Sequence, residues 1–160
     1  MRKIKIPLYI DEFELDELPA DILALRDAAI EAREKAYAPY SHFRVGAALL
    51  LDNGKIITGS NQENAAFPSG MCAERVAIWY AGAQYPGNKI LKMFITARSE
   101  HKPINQPIPP CGACRQSMAE YEIKQKSPIE IYFSGETGKI WRTPSVANIL
   151  PLLFDGKNLD

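Results

Sequence analysis

A three-layer α/β/α domain on a central mixed sheet is the fold class this sequence predicts, and three observations carry that prediction. Helical and extended segments alternate in the order α-β-β-α-β-α-β-β-α, a pattern that places the strands in one sheet with helices packed on it. The first extended segment, FRVGAALLL, is apolar on both faces, so both sides of its sheet must be covered. A chain of 160 residues can bury one substantial core but not two ordinary ones.

Residues 1–18 are expected to form an acidic N-terminal extension with no clear period, ahead of a single domain spanning 19–160. From Pro19, the residues Ile22, Leu25, Ala29, Ala32 and Ala36 recur at helical spacing opposite Asp27, Glu31 and Glu34, which predicts one amphipathic helix. Phe43 to Leu51 then reads as a strand. Asn53-Gly54 is a strong hairpin turn pair, and the chain returns through Ile56, Ile57 and Thr58. CAERVAIWYAGA has a helical composition, ILKMFITA is a buried strand, and CRQSMAEYEI is a further helix. IEIYFSG and KIWRT make two more strands around a glycine-containing turn, and VANILPLLF predicts a short helix stopped near Pro151. Trp79, Met93 and Met118 are expected in the core.

The composition is that of a folded globular chain, 46% hydrophobic and 24% charged. Nineteen basic residues balance nineteen acidic ones, so no overall positive field draws in nucleic acid or an anionic membrane surface. The opening MRKIKIPLYIDEFELDEL lacks a signal peptide's apolar run, and no later run is long enough to span a bilayer. Three cysteines without an export signal point to a reducing cytoplasm, where thiols serve as ligands or nucleophiles more often than as crosslinks.

Those cysteines are Cys72 in MCAER and the pair Cys111 and Cys114 in PPCGACR, each placed where a helix should begin. Backbone N–H groups and the positive end of a helix dipole stabilise thiolates, the form that binds metal. Spacing of three residues puts Cys111 and Cys114 on one side of a helical turn, suited to chelating one ion, with Cys72 available as a third ligand. A lone CxxC also suits redox chemistry, but no apolar strand leads directly into this pair. Three unrelated buried cysteines remain a simpler alternative. A closed structural zinc site would need a fourth ligand from His42 or His101, neither of which has short ligand spacing; surface or supporting placement suits both better.

Glu74, two residues after Cys72, changes the balance. Taken alone it is a favourable charge in a helix's first turn. Together, C-A-E and P-C-x-x-C match the zinc deaminase signature, with cysteine in place of histidine as the first ligand. With YAPYSHFRVGAALL, GSNQENAAF, MCAERVAI, PCGACRQ and ILPLLF in order over residues 20–155, the chain resembles the cytidine deaminases of the small-subunit, three-cysteine, homotetrameric type. The extension before residue 19 is extra, and Phe67 stands where many relatives have tyrosine.

The resemblance implies the family's three-layer fold, one Zn2+ per subunit held by Cys72, Cys111 and Cys114, and a water in the fourth position. It implies that Glu74 is catalytic, carrying protons from that water to N3 of cytosine and to the leaving amine, so that cytidine or 2′-deoxycytidine yields uridine or 2′-deoxyuridine and ammonia, a step in pyrimidine salvage. It assigns Asn61 and Glu63 to the ribose 3′-hydroxyl, Ala65 and Ala73 to backbone contacts with the base, Phe43 to packing near the ring, and Phe154 to a neighbouring subunit's pocket. Arg75 is implied to donate hydrogen bonds to the thiolates; three thiolates and Zn2+ sum to −1, so something must withdraw charge from the sulfurs. The implied partners are a small nucleoside and further copies in a homotetramer with shared active sites, not nucleic acid or membrane. A carboxylate at the sugar end repels phosphate and favours free nucleosides.

Other readings predict different features. Deaminases of tRNA or single-stranded DNA share the scaffold but usually carry histidine as first ligand and need basic tracks for phosphates, and neither is present. A related small deaminase would act on a modified cytosine nucleoside. A non-catalytic structural zinc module would leave Glu74 as a helix-end charge and would have no exchangeable water.

Overall fold

The computed structural model describes residues Met1 to Leu159. Six strands form one sheet: β1 (Asp11–Phe13), β2 (Phe43–Leu51), β3 (Ile56–Ser60), β4 (Ile90–Ser99), β5 (Glu130–Ser134) and β6 (Ile140–Thr143), in the order β1-β6-β5-β4-β2-β3. Strands β4 and β5 run parallel, whereas the other neighbouring pairs are antiparallel, so the sheet is mixed as predicted. Parallel neighbours need a crossover, and α3 (Gly112–Gln125) supplies it.

Helix α1 (Ala20–Glu34) covers one face. Its Ile22, Leu25 and Ala29 pack with Ala48, Phe94, Tyr132 and Ile140 of the sheet. On the other face, α2 (Ala73–Gln84), α3 and α4 (Val146–Ile149) set Ala77, Ile78, Met118 and Ile149 against Ala47, Leu49, Met93, Ile95 and Phe133. Neighbouring residues thus point to opposite layers: Ala47 and Leu49 to one, Ala48 to the other, and likewise Met93 and Ile95 against Phe94. This period of two between covered faces is why β2 and β4 read as continuous apolar runs. Phe94 is fully buried and lies parallel to the Tyr132 ring at 6.2 Å. A side chain buried so completely contributes roughly 1.5–3 kcal/mol of hydrophobic stabilisation.

Two features differ from expectation. Within the extension, Asp11–Phe13 joins the sheet as edge strand β1, pairing antiparallel with β6. Three residues are too few for a period to be visible in the sequence. Trp79 is not a core residue: it is 44% exposed. The buried face of α2 runs through Ala73, Ala77, Ile78 and Ala81, which turns Trp79 outward, where the Arg75 guanidinium lies 5.7 Å from the ring centroid. Met93 and Met118 are fully buried, as expected. Among the described residues, no helix is long and apolar enough to cross a membrane.

Close approach of α2 to the sheet depends on Gly59 in β3. A Cβ there would stand 2.5 Å from the Ala73 carbonyl oxygen and 2.7 Å from the Ala77 nitrogen. The first turn of α2 therefore rests directly on the strand. Gly59→Ala must push that turn away and should destabilise the protein by about 1–3 kcal/mol. Gly54→Ala, in a hairpin turn at φ +80° with open space around it, should cost only about 1 kcal/mol. Urea unfolding midpoints of the two variants, compared at equal slope, check the contrast.

Candidate functional site

Cys72 is the N-cap of α2, and Cys111 is the N-cap of α3. Both residues have extended backbone, so each sulfur leaves its helix at the end where unpaired N–H groups and the positive dipole are concentrated. Cys114 lies one turn into α3 and is buried, whereas Cys72 is half-buried and Cys111 exposed. Cys72 Sγ is 3.9 Å from Cys111 Sγ, which is 3.5 Å from Cys114 Sγ. All three sulfurs fall within 4.8 Å of one another. Tetrahedral zinc with Zn–S bonds of about 2.3 Å needs sulfurs about 3.8 Å apart, so the spacing fits a metal.

The donors' charges point the same way. The contact with Cys114, aided by Arg75 and opposed by burial, pushes the Cys72 thiol down to about 5. That same contact, with burial and the Glu74 charge, pushes the Cys114 thiol far up. Two unit charges at about 4 Å repel by about 4 kcal/mol near a protein surface, so three thiolates coexist here only around a cation. Arg75 Nη2 donates to Cys72 Sγ at 3.6 Å, which places the guanidinium where the three-residue spacing predicts it. Among the described residues, neither His42 nor His101 joins the cysteines. The two rings instead meet edge to face at 5.0 Å, and His42 Nδ1 lies 3.1 Å from Glu100 Oε2.

These groups open onto a cavity of about 740 Å³, walled by Cys72, Cys111, Glu74, Arg75, Phe43, Asn61 and Glu63. This volume suits a small organic ligand. Glu74 is 4% exposed. Burial raises its pKa, its own backbone N–H lowers it, and the Cys72 charge raises it further; the net direction is up. A carboxyl that lines a cavity and retains its proton more readily than usual is suited to moving protons.

Both Asn61 and Glu63 are held by neighbouring backbone. The Asn61 amide donates to the Phe43 carbonyl at 2.9 Å and accepts from the Val45 N–H at 2.7 Å, fastening the start of β2 while keeping one N–H and one lone pair for a ligand. Glu63 Oε2 accepts from the Tyr40 and Ser41 backbone N–H groups at 2.8 and 3.2 Å. Burial would raise the Glu63 pKa, but the Ser41 side chain, those two amides and the nearby His42 outweigh it and hold the carboxyl below its ordinary value. Ala65 is exposed in the loop, and Ala73 is buried directly after Cys72. Neither lines the cavity, and nor does Phe154, which is 57% exposed while its carbonyl accepts from Gln116 Nε2 at 2.8 Å.

Tyr40, Ser41, Met71, Ile108 and Pro109 also line the cavity, and no pattern in the sequence singles them out. Tyr40 meets Phe67 edge-on at 6.0 Å. Residues 40 and 41 lie within the YAPYSHF block, but nothing in their spacing marks backbone amides that grip a carboxylate.

Residues 20–127 match the model of the cytidine and deoxycytidylate deaminase zinc-binding region. The chain is 38% identical over 133 residues to a cytidine deaminase from Halalkalibacterium halodurans, covering 82% of this chain and 92% of that one. It is 37% identical over 139 residues to a cytidine deaminase from Sporosarcina psychrophila, covering 87% and 95%. Its fold is similar to the crystal structure of cytidine deaminase from Burkholderia pseudomallei, with a TM-score of 0.71, 40% identity, and coverage of 82% of this chain and 98% of that chain.

Because the Glu63 carboxyl has a lower pKa folded than unfolded, it contributes stability that is fully present above its unfolded value and lost as pH falls through the folded one. Glu63→Gln should therefore flatten the decline in melting temperature between about pH 5 and pH 3, where ordinary carboxyls titrate. Melting both proteins across that range checks the difference.

Proposed function

The chain belongs to the cytidine and deoxycytidylate deaminase zinc-binding family, and on that basis we propose that Cys72, Cys111 and Cys114 hold its zinc and that Glu74 carries the protons of its reaction. That reaction is the zinc-dependent hydrolytic deamination of cytidine, which releases ammonia. The observation that carries the residue assignment is the meeting of three sulfurs from two helix N-termini beside a buried glutamate that lines the same cavity.

When bound, zinc supplies a Lewis acid that makes a water easier to deprotonate. Glu74 takes one proton from that water and delivers it to N3 of cytosine. Once the water's oxygen has bonded to C4, Glu74 takes the second proton and delivers it to the 4-amino group as the C4–N bond breaks, so that the oxygen stays on C4 and water's two protons end on N3 of uridine and on ammonia. Burial suits Glu74 to this alternation, because a raised pKa brings its charged and neutral forms closer in energy near neutral pH. Phe43, Val45 and Ile95 give the cavity an apolar wall for the base. Asn61 and Glu63 bind the ribose 3′-hydroxyl, where a carboxylate kept ionised also repels a phosphate. Either ribose or 2′-deoxyribose can offer that hydroxyl. Ala65 and Ala73 do not line the cavity themselves but adjoin Asn64 and Cys72, which do, and from there offer backbone groups to the base.

Residues 19–160 form the catalytic unit, which works in the cytoplasm, where its thiols stay reduced for metal. It assembles as a homotetramer in which Phe154 enters a neighbour's cavity. Exposed Phe67, Trp79, Tyr80 and Phe154 support that assembly, as does Arg75 Nε, which is buried with no partner among the described residues.

Glu74→Gln keeps the side chain's size and all three thiols. Zinc content should stay at one per subunit while turnover falls by about 10²- to 10⁴-fold, measured as ammonia released from cytidine. Near-normal turnover would remove Glu74 from the mechanism. Arg75→Gln should leave fold and zinc in place and lower activity by roughly 10- to 100-fold, the usual effect of removing a group that tunes a metal's ligands. Unchanged activity and an unchanged pH–rate profile would make Arg75 a surface charge.

A further inference from the structure

Residues 9–14 lie across β6 and α4 as a strap. In the β1–β6 pair, Asp11 stands opposite Arg142 and Glu12 opposite Trp141. Arg142 Nη1 donates to Asp11 Oδ2 at 3.0 Å, Trp141 Nε1 donates to Glu12 Oε2 at 2.8 Å, and Glu14 pairs with Lys139. Ile10 and Phe13 pack into opposite layers of the core. Ahead of the strand, the Tyr9 backbone pairs with a side-chain amide as it would with another strand. Its N–H donates to Asn148 Oδ1 at 3.2 Å, and its carbonyl accepts from Asn148 Nδ2 at 2.7 Å. Asn148 Nδ2 also donates to Thr143 Oγ1 at 2.8 Å. One amide therefore joins the extension, β6 and α4.

Helix α4 has only four residues, too few to hold a helix alone, so its pose is set by what it docks on. On α3, Glu122 accepts the N–H groups of Val146 and Ala147, both at 3.0 Å, and Arg115 Nη1 donates to the Ile149 carbonyl at 3.1 Å. The strap holds the same helix through Asn148. After α4 the chain carries Leu152 and Phe154, 83% and 57% exposed. Gln116 holds Phe154 by its carbonyl rather than by its ring, so the ring's position is inherited from the segment that leads to it.

We propose that Asn148 and residues 9–14 are a positioning device that sets the segment from α4 to Phe154 for substrate binding; this rests on the proposed entry of Phe154 into a neighbouring subunit's cavity. The extension thereby tunes substrate affinity without touching the substrate. Losing the Tyr9–Asn148 pair should raise KM for cytidine roughly three- to tenfold, the range that one or two net hydrogen bonds command, with kcat unchanged.

The test uses the full chain. Tyr9→Pro removes the backbone donor from the strap side alone, Asn148→Ala removes the amide, and Phe154→Ala removes the ring. Each is measured for KM, kcat, zinc content and melting temperature. Tyr9→Pro and Asn148→Ala should each raise KM with kcat and zinc unchanged, and Tyr9→Pro should add nothing in the Phe154→Ala background. A lower melting temperature with unchanged KM, while Phe154→Ala raises KM, would reduce the strap to a stabilising edge strand and overturn the proposal. A further KM rise from Tyr9→Pro in the Phe154→Ala background would also overturn it, by routing the effect elsewhere. Unchanged KM for Phe154→Ala would instead defeat the underlying assignment of Phe154, and the proposal with it. Should Asn148→Ala fail to fold, Tyr9→Pro decides.

Discussion

Three sulfurs within 4.8 Å of one another are a charge problem, and much of the site answers to it. The trio binds a dication only as thiolates, and three thiolates exceed that dication's charge by one. Partial positive charge therefore has to come from the protein, at short range and without a competing counter-ion. Two helix N-termini provide it, because Cys72 and Cys111 cap α2 and α3, and Arg75 adds a full charge 3.6 Å from one sulfur. Cys72 and Cys111 begin different helices, so two helices must converge on one point.

The sheet brings about that convergence. The strands β2 and β3 carry the first turn of α2, which sits close because Gly59 has no side chain. The parallel pair β4–β5 requires a crossover, and the helix that makes it begins at Cys111. Glu74 belongs to the same first turn as Cys72, so the packing that places the sulfur also buries the carboxylate. The proposed metal ligand Cys72 and proton carrier Glu74 are consequently positioned by one helix–strand contact.

The elements with a strong period were legible in the sequence. The stripe Ile22, Leu25, Ala29 became the buried side of α1, and Asn53-Gly54 became a hairpin turn with Gly54 at φ +80°. Double-sided burial was legible in β2, because an apolar run too short to span a membrane has to be covered by protein on both sides. The cysteines and Glu74 stood out because their chemistry is rare and their spacing constrained. Trp79 did not fit, since an aromatic inside a helical run reads as core until the helix's facing is known. Strand β1 was hidden by its length, and Tyr9 and Asn148 by the nature of their contact, a backbone paired with a side chain 139 residues away. Nor does spacing show that Glu63 is gripped by the amides of Tyr40 and Ser41, because backbone donors have no sequence signature.

If three thiolates from two helix ends hold zinc and leave one position open to the cavity, zinc X-ray absorption on the purified protein will show it, since scattering counts sulfur neighbours and measures their distance. The expected spectrum is that of one zinc per chain with three sulfurs at about 2.3 Å and a fourth neighbour that is not sulfur and exchanges with solvent. A chain purified without zinc, or zinc with fewer than three sulfur neighbours or with four ligands all from the protein, would refute this arrangement.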